Sequence, residues 1–281
     1  MHKNSPIGLF FVFRSIMKAV DEETLSKLLA DIPMGKLLYF NRLPSTNATA
    51  LEWVAQRPPD YSLVVADHQI AGYGRNQRSW HAHAGASLSF SLILYPHPEE
   101  QQSLPLFSAL AALAVCTALD AISPSSQAEI KWPNDVLLDG KKCAGILCEA
   151  VWQGTTLCGL VMGVGVNISS AALPPVSSLL FPATSLEDAF GKNMDRWEIL
   201  HCILEQLLHV RNSFPSSTFL NDWRTRLAFL GQPVTITSTN GQTHSGIMQD
   251  VDEQGYLVLK EKTGQQLSFP MGEVSLRPAS L

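Results

Sequence analysis

Lys131-Trp132-Pro133-Asn134-Asp135 stands between two apolar runs, with Gly140-Lys141-Lys142-Cys143-Ala144-Gly145 close behind it. No other stretch restricts the fold so tightly. Lys, Asn and Asp in succession would each need a partner or water if buried, so the segment cannot be the middle of a core strand. Pro133 fixes its own φ and pushes Trp132 towards extended backbone. Ile130-Lys131-Trp132 therefore reads as a strand end, and Asn134-Asp135 as the turn that begins the next element. Two uses of that turn stand side by side: a cleft edge that carries chemistry, or a plain hairpin whose polar residues close an Asx-turn.

A chain of 281 residues predicts one large or two ordinary domains, and 46 % hydrophobic content is ample for a buried core. The formal charge of −5, without a long run of one sign, argues against a nucleic-acid surface and leaves room for a small basic pocket. Cys116, Cys143, Cys148, Cys158 and Cys202 form no C-x-x-C pair, so neither zinc nor a disulfide framework is indicated. With no convincing export signal, this predicts a reducing, cytoplasmic compartment and no membrane association. Residues 7–13 are apolar but far too short to span a bilayer. They lack a small-residue cleavage site and run directly into Arg14. Residues 1–36 read as a tail with one short helix, and Met17 is an alternative start of translation.

Asp21 predicts a helix cap, with Leu25, Leu28 and Leu29 on one face. Residues 36–41 read as a strand. Ser45-Thr46-Asn47 opens a helix to about Gln56, in which Ser45 is at least an N-cap. The strand 62–68 leads into a loop, Gln69 to Trp80, with two glycines and two arginines. Its Gly72-x-Gly74 pair matches neither a Rossmann nor a Walker pattern. Arginine forks suit phosphate and carboxylate, so an anion-binding loop stands beside a solvated surface loop as its two readings. Residues 87–95 alternate small polar with large apolar side chains, the period of a strand with one buried face. Residues 104–121 read as a helix apolar nearly all round, hence buried. A hairpin of 145–152 and 156–166 ends in Gly163-x-Gly165-x-Asn167, where glycines admit a ligand or another backbone. Helices are predicted over 195–214 and 218–230. From Gly231 short β runs alternate with Gly-containing turns, the texture of a small barrel. The domains read as 1–36, 37–230 and 231–281.

In order, Ser45-Thr46-Asn47, Gln69-x-Ala71-Gly72-Tyr73-Gly74-Arg75-x-x-Arg78-x-Trp80, Lys131-Trp132-Pro133-Asn134-Asp135, Lys142-x-Ala144-Gly145-Ile146-Leu147 and Gly163-x-Gly165-x-Asn167 resemble the biotin protein ligases. The match runs from about Leu37 to the C-terminus. It implies an α+β fold, with a mixed sheet similar to class II aminoacyl-tRNA synthetases flanked by helices, and a C-terminal SH3-like β-barrel. It points to the monofunctional type, without the N-terminal DNA-binding domain that some members carry. The implied reaction converts biotin and MgATP to biotinyl-5′-AMP, then passes biotin to a lysine of a biotin carboxyl carrier protein domain. Nucleic acid and membrane are not implied as partners; a homodimer is an open option.

The resemblance also implies site residues. Lys142 would sit where biotin carboxylate meets α-phosphate, because catalysis there is positioning plus charge stabilisation. Arg75 and Arg78 would close over phosphate, and Trp80 would offer a face to adenine. Ser45, Thr46 and Gln69 would hydrogen-bond the ureido ring, whose polar atoms cannot be buried unpaired. The backbone at Gly72 and Gly145 would approach biotin closely. Asn134 and Asp135 would serve metal, phosphate or incoming lysine, so Asp135 is the one candidate metal ligand. Asn167 would lie on the nucleotide side, and Asn47, Tyr73, Gly74, Lys131 and Leu147 would complete the ligand pocket. One departure stands out: many members read Gly-Arg-Gly-Arg where this chain has Gly72-Tyr73-Gly74-Arg75. Tyr73 is harmless if that position works through its backbone, and costs adenylate retention if its side chain is needed. A lipoate or octanoyl ligase or transferase and a non-enzymatic biotin-sensing protein are the competing readings. The ureido set argues against the first, and the phosphate cations against the second.

Overall fold

A computed structural model describes residues 21–81, 83–124, 126–271 and 274–279. The apolar stretch 7–13 and the alternative start at Met17 lie outside these residues. Asp21 caps α1 (Glu22–Leu28) by accepting from the Thr24 amide at 2.9 Å. There follow β1 (Leu37–Phe40), α2 (Thr46–Val54), β2 (Ser62–Ala66), β3 (Ser87–Leu94) and α3 (Phe107–Ile122). Two hairpins come next, β4 (Glu129–Lys131) with β5 (Asp135–Leu138), and β6 (Lys141–Gln153) with β7 (Thr156–Asn167). Then come α4 (Leu186–Phe190), α5 (Arg196–Arg211) and α6 (Ser217–Thr225). The C-terminal strands are β8 (Pro233–Ser238), β9 (Thr243–Val251), β10 (Leu257–Glu261), β11 (Gln266–Phe269) and β12 (Val274–Pro278).

The first seven strands form one sheet in the order β1-β2-β3-β7-β6-β5-β4, in which only β1 and β2 pair in parallel. Its two faces differ because side chains alternate along each strand. One face carries Leu88, Phe90, Val164, Val166, Ala144 and Ile146 into the main core with α3 and α5. That explains why α3 is apolar nearly all round. With the turn before it, Gln101–Ile122 is long and apolar enough to cross a bilayer, yet most of its apolar window is buried inside the molecule. The other face is covered only in part. Ala50 and Val54 of α2 pack on Val64, Ala66, Ile93 and Val161. Beyond them the same face carries Ser87, Ser89 and Ser91 opposite Asn167, Gly165 and Gly163, with Gly145 and Leu147 beside those glycines. This small-residue floor is where the site lies.

The last five strands form an antiparallel sheet ordered β11-β10-β9-β8-β12, an SH3-like unit. Gly241, Gly255 and Gly264, at the turns between its strands, all adopt positive φ, which glycine does without steric cost. The unit backs directly onto the Lys131–Asp135 hairpin, since Trp132 Nε1 donates to the Gly255 carbonyl at 3.0 Å. Two sequence expectations are corrected here. The helix predicted over 218–230 stops at Thr225, because the chain beyond it pairs with β4: Ile130 donates to the Arg226 carbonyl and accepts from Ala228. The strand predicted to begin at Gly145 begins at Lys141, zipped to β5 from Leu138 onward.

Candidate active site

At the start of α2, Ser45 Oγ accepts from the Ala48 amide, so the capping role is real. The cap turns Thr46 and Asn47 inward onto the sheet. Thr46 donates twice to Gln69 Oε1, from its amide at 2.7 Å and its hydroxyl at 3.0 Å. Ser91 Oγ lies 2.8 Å from Thr46 Oγ1 and 2.5 Å from Asn47 Oδ1. Asn47 Nδ2 donates to Glu149 Oε2 at 2.7 Å and to the Leu147 carbonyl at 3.3 Å. Ser45, Thr46, Asn47 and Gln69 are all buried. This is a neutral, cross-linked set of donors and acceptors at one end of a cavity of about 460 Å³.

The opposite end is ionic. Asp135, at the start of β5, is gripped by Lys131 Nζ at 2.8 Å and Lys142 Nζ at 2.5 Å. Burial alone would push its carboxyl up; the Lys142 and Lys131 ammoniums outweigh burial and hold it well below the usual carboxylate range. Lys131 is buried and rests over the Phe181 ring, and Lys142 is the more exposed of the two; both line the cavity. Asn134 closes the hairpin by donating to the Ile146 carbonyl and accepts from Arg75 Nη1 at 3.1 Å. The hairpin predicted for this stretch is present, and Lys131, Asn134 and Asp135 border the cavity. Asn167 lines the cavity while donating to the Thr184 carbonyl.

The glycine loop folds back on itself and across the cavity: Gly74 N donates to the Arg78 carbonyl and Trp80 N to the Gly72 carbonyl, both at 2.8 Å. Trp80 then lies on the glycine floor. A Cβ at Gly165 would run into its indole, and one at Gly145 would crowd both Trp80 and Lys142 Nζ. A Cβ at Gly163 would strike the Asn47 amide. The bare stretch of β7 is therefore occupied by the chain's own Asn47 and Trp80. Lys142 Nζ sits 5.5 Å from the Trp80 ring centre. Among the described residues Trp80 Nε1, on the cavity wall, is buried without a hydrogen-bond partner.

Of the predicted residues, Ser45, Thr46, Asn47, Gln69, Tyr73, Gly74, Arg75, Arg78, Trp80, Lys131, Asn134, Asp135, Lys142, Gly145, Leu147 and Asn167 all border the cavity. Gly72 is absent from the cavity lining. It is packed against the Gln69 side chain and the Trp80 carbonyl rather than against ligand space. Three contributors were not foreseen. Arg277 reaches the cavity from β12 of the C-terminal unit, Phe181 supports Lys131, and Glu149 receives the Asn47 amide. The cavity wall thus carries five cations, Arg75, Arg78, Lys131, Lys142 and Arg277, against the single carboxylate of Asp135. The whole chain is net negative at −5.

The profile of the Biotin/lipoate A/B protein ligase family matches residues 39–167, and that of the Biotin protein ligase C terminal domain matches residues 229–277. The chain is 34 % identical over 241 residues to the Biotin--[acetyl-CoA-carboxylase] ligase of Paracoccus denitrificans, covering 83 % of this chain and 97 % of that one. The chain belongs to the biotin protein ligases. The Bifunctional ligase/repressor BirA of Bacillus spizizenii is 32 % identical over 252 residues, 88 % of this chain and 76 % of that protein. The biotin protein ligase from Aquifex aeolicus, solved in complex with biotin and ATP, superposes with a TM-score of 0.73 at 27 % identity, covering 87 % of this chain and 99 % of that one. The seven-stranded sheet with its SH3-like appendage is thus the biotin protein ligase fold, and the cavity lies on the face of that sheet which α2 leaves open.

Proposed function

We propose that the chain is a biotin–[acetyl-CoA-carboxylase] ligase, which activates biotin as biotinyl-5′-AMP and passes it to a lysine of a biotin carboxyl carrier protein domain. The observation that carries this is the polarity of the cavity: neutral hydrogen-bonding groups at one end and surplus positive charge at the other. Biotin has the matching halves, an uncharged ureido bicycle and a carboxylate. The ureido ring needs paired partners in a buried site, and Ser45, Thr46, Asn47 and Gln69 offer them. A lipoyl or octanoyl chain would have no use for such a set.

The first step brings two anions together. A biotin carboxylate oxygen attacks the α-phosphorus of ATP, and pyrophosphate departs with the electron pair of the broken P–O bond. Lys142 stands where both negative charges fall, held in place by Asp135, so its charge is aimed before the substrates arrive. Arg75, Arg78 and Arg277 spread further positive charge along the triphosphate path. Trp80 gives the adenine an aromatic face. In the second step the carrier lysine amine attacks the acyl carbon and AMP leaves. No enzyme nucleophile is required.

Magnesium enters as part of the ATP substrate. It favours one or two carboxylates plus phosphate oxygens, yet both oxygens of Asp135 are taken by lysines. Among the described residues no group of three His, Cys, Asp or Glu side chains could hold a metal. Asp135 therefore fits a positioning role better than a metal-binding one. The five unpaired thiols fit a cytoplasmic setting. Incubating the protein with labelled biotin, MgATP and a carrier domain should label one carrier lysine. Transfer of lipoate or octanoate in preference to biotin would overturn the proposal.

A further inference from the structure

The loop that crosses the cavity has open space on both sides. A second cavity of about 400 Å³ lies between the loop and residues of β6 and α3, and Tyr73, Gly74, Arg75 and Asn76 border both. Packing holds the loop at its Trp80 end and leaves residues 73–76 between two cavities. Its backbone also resists its own shape, because Asn76 and Gln77 sit at φ 55° and 56°, in the left-handed region that non-glycine residues avoid. Side-chain hydrogen bonds tie its tip to the rest of the domain. Arg75 reaches Asn134, and the Tyr73 hydroxyl donates to Glu149 Oε2 at 3.2 Å.

The second tie leads into the ligand pocket. Glu149 Oε2 also receives Asn47 Nδ2, Asn47 shares Ser91 with Thr46, and Thr46 holds Gln69. The Ser45 hydroxyl lies beside the Tyr73 phenol. We propose that Tyr73 and Glu149 form a clasp which holds the loop over the reaction intermediate and couples its closure to occupation of the ureido end of the pocket. This rests on the biotin ligase reading above. It makes Tyr73 and Glu149 positioning residues, with no contact to the reacting atoms.

The chemistry suits a clasp. Burial, and then the neighbouring Glu149 charge, raise the Tyr73 phenol to about 12, so it remains a donor at any physiological pH. A ligand that fixes Ser45, Thr46 and Asn47 orders the far side of the Glu149 carboxylate, and the phenol then closes onto an acceptor already in place. Where an arginine in this position would bring charge to the loop, Tyr73 brings a neutral donor on a stiff ring. The cationic surplus of the cavity then falls on Arg75 and Arg78.

Tyr73→Phe removes the hydroxyl and keeps the ring. With biotin and ATP supplied, the adenylate should leave this variant about tenfold faster, as expected for losing a hydrogen bond to a charged acceptor. Bystander lysines on an unrelated protein should then become biotinylated, biotin should bind more weakly by at most the same factor because the coupling is reciprocal, and the unfolding midpoint should stay near the parent value. Glu149→Gln should leave the intermediate less well held than in the parent. Tyr73→Phe combined with Glu149→Gln should add little to the worse single variant, since both cut the same tie. Tyr73→Arg should restore retention by pairing with Glu149. Adenylate held as long as in the parent by Tyr73→Phe, or fully additive losses in the double variant, overturns the clasp and leaves the ligase function standing. Failure of the parent itself to release pyrophosphate in response to biotin overturns the ligase reading and the clasp with it.

Discussion

Two buried ion clusters in this protein use the same materials and end differently. Arg211 on α5 meets Glu100 through paired bonds at 3.0 and 2.8 Å, with the Asp60 carboxylate 3.7 Å away. Two carboxylates face its one positive charge, and none of the three residues lines the cavity. Glu100 is held below the usual carboxylate range: burial pushes it up, but the Arg211 guanidinium and the His97 amide pull it further down. Asp135 is also buried but faces two ammoniums, both on the cavity wall. A unit of positive charge is left over there, and Arg75, Arg78 and Arg277 add to it. The lesson is that burial and pKa displacement mark both places, while only unanswered charge facing a cavity marks the one that handles an anion.

The comparison can be broken by removing each anion. Glu100→Ala strands a sealed guanidinium, and should destabilise the fold by about 3–5 kcal/mol. Chemical denaturation measures this, and binding of biotin to the folded fraction should be unaffected. Asp135→Ala should cost less stability, because cavity water reaches Lys142, but should abolish adenylation. A larger loss of stability from Asp135→Ala than from Glu100→Ala would reverse the assignment of structural and functional roles.

Removing the spare cation is the sharper cut. Lys142→Ala should leave the fold intact and lower adenylate formation on the order of a hundredfold or more, the usual effect of deleting a preplaced charge at a developing anion. Pyrophosphate release assays read this directly. Trp80→Ala should weaken ATP by about 1–3 kcal/mol and biotin by less, measured by titration calorimetry. Equal losses for both ligands would make Trp80 a plug for the glycine floor rather than a platform for the base.

The smallest expected effect is in acid. A carboxyl with a depressed folded pKa contributes stability above its unfolded value, about 4 for Asp, and loses it as pH falls from there towards the folded value. Asp135 is such a group. Between about pH 4 and pH 2 the parent should lose stability more steeply than Asp135→Asn, in the sense set by proton uptake on unfolding. Parallel pH curves would mean that Asp135 is not held charged by its lysines.

Much of this contrast was legible in the sequence at one pole and hidden at the other. Pro133 and the polar trio around it, each needing a partner or water, announced a hairpin end, and the structure has that hairpin at the cavity. The alternation of residues 87–95 revealed a strand but not its use, since Ser91 looks like a solvent-face residue and instead pins Thr46 and Asn47. Glu149 was invisible for the same reason, as one polar residue in a long hairpin. Arg277 lies on a short strand ending at Pro278, too brief to carry a period, and it reaches the site only because the SH3-like unit docks behind Trp132. The five-residue helix α4 was also missed, although Ser185 and Asp188 bond reciprocally at its start and Gly191 ends it at φ 64°. That capping signal was present but had too few periodic residues behind it. Long periodic elements and backbone-restricting residues are local information; the convergence of single side chains from β3, β6 and β12 is tertiary.

The central claim is that the surplus positive charge of the Lys131–Asp135–Lys142 cluster, presented through Lys142, drives activation of biotin, while the cluster at Arg211 only supports the fold. Biotin-dependent exchange of labelled pyrophosphate into ATP tests it in one assay, with the parent, Lys142→Ala and the milder Glu100→Gln run side by side. The account expects rapid exchange in the parent, exchange lowered at least a hundredfold in folded Lys142→Ala, and near-parent exchange in whatever fraction of Glu100→Gln is folded. Parent-like exchange by Lys142→Ala, or its loss from folded Glu100→Gln, would contradict it.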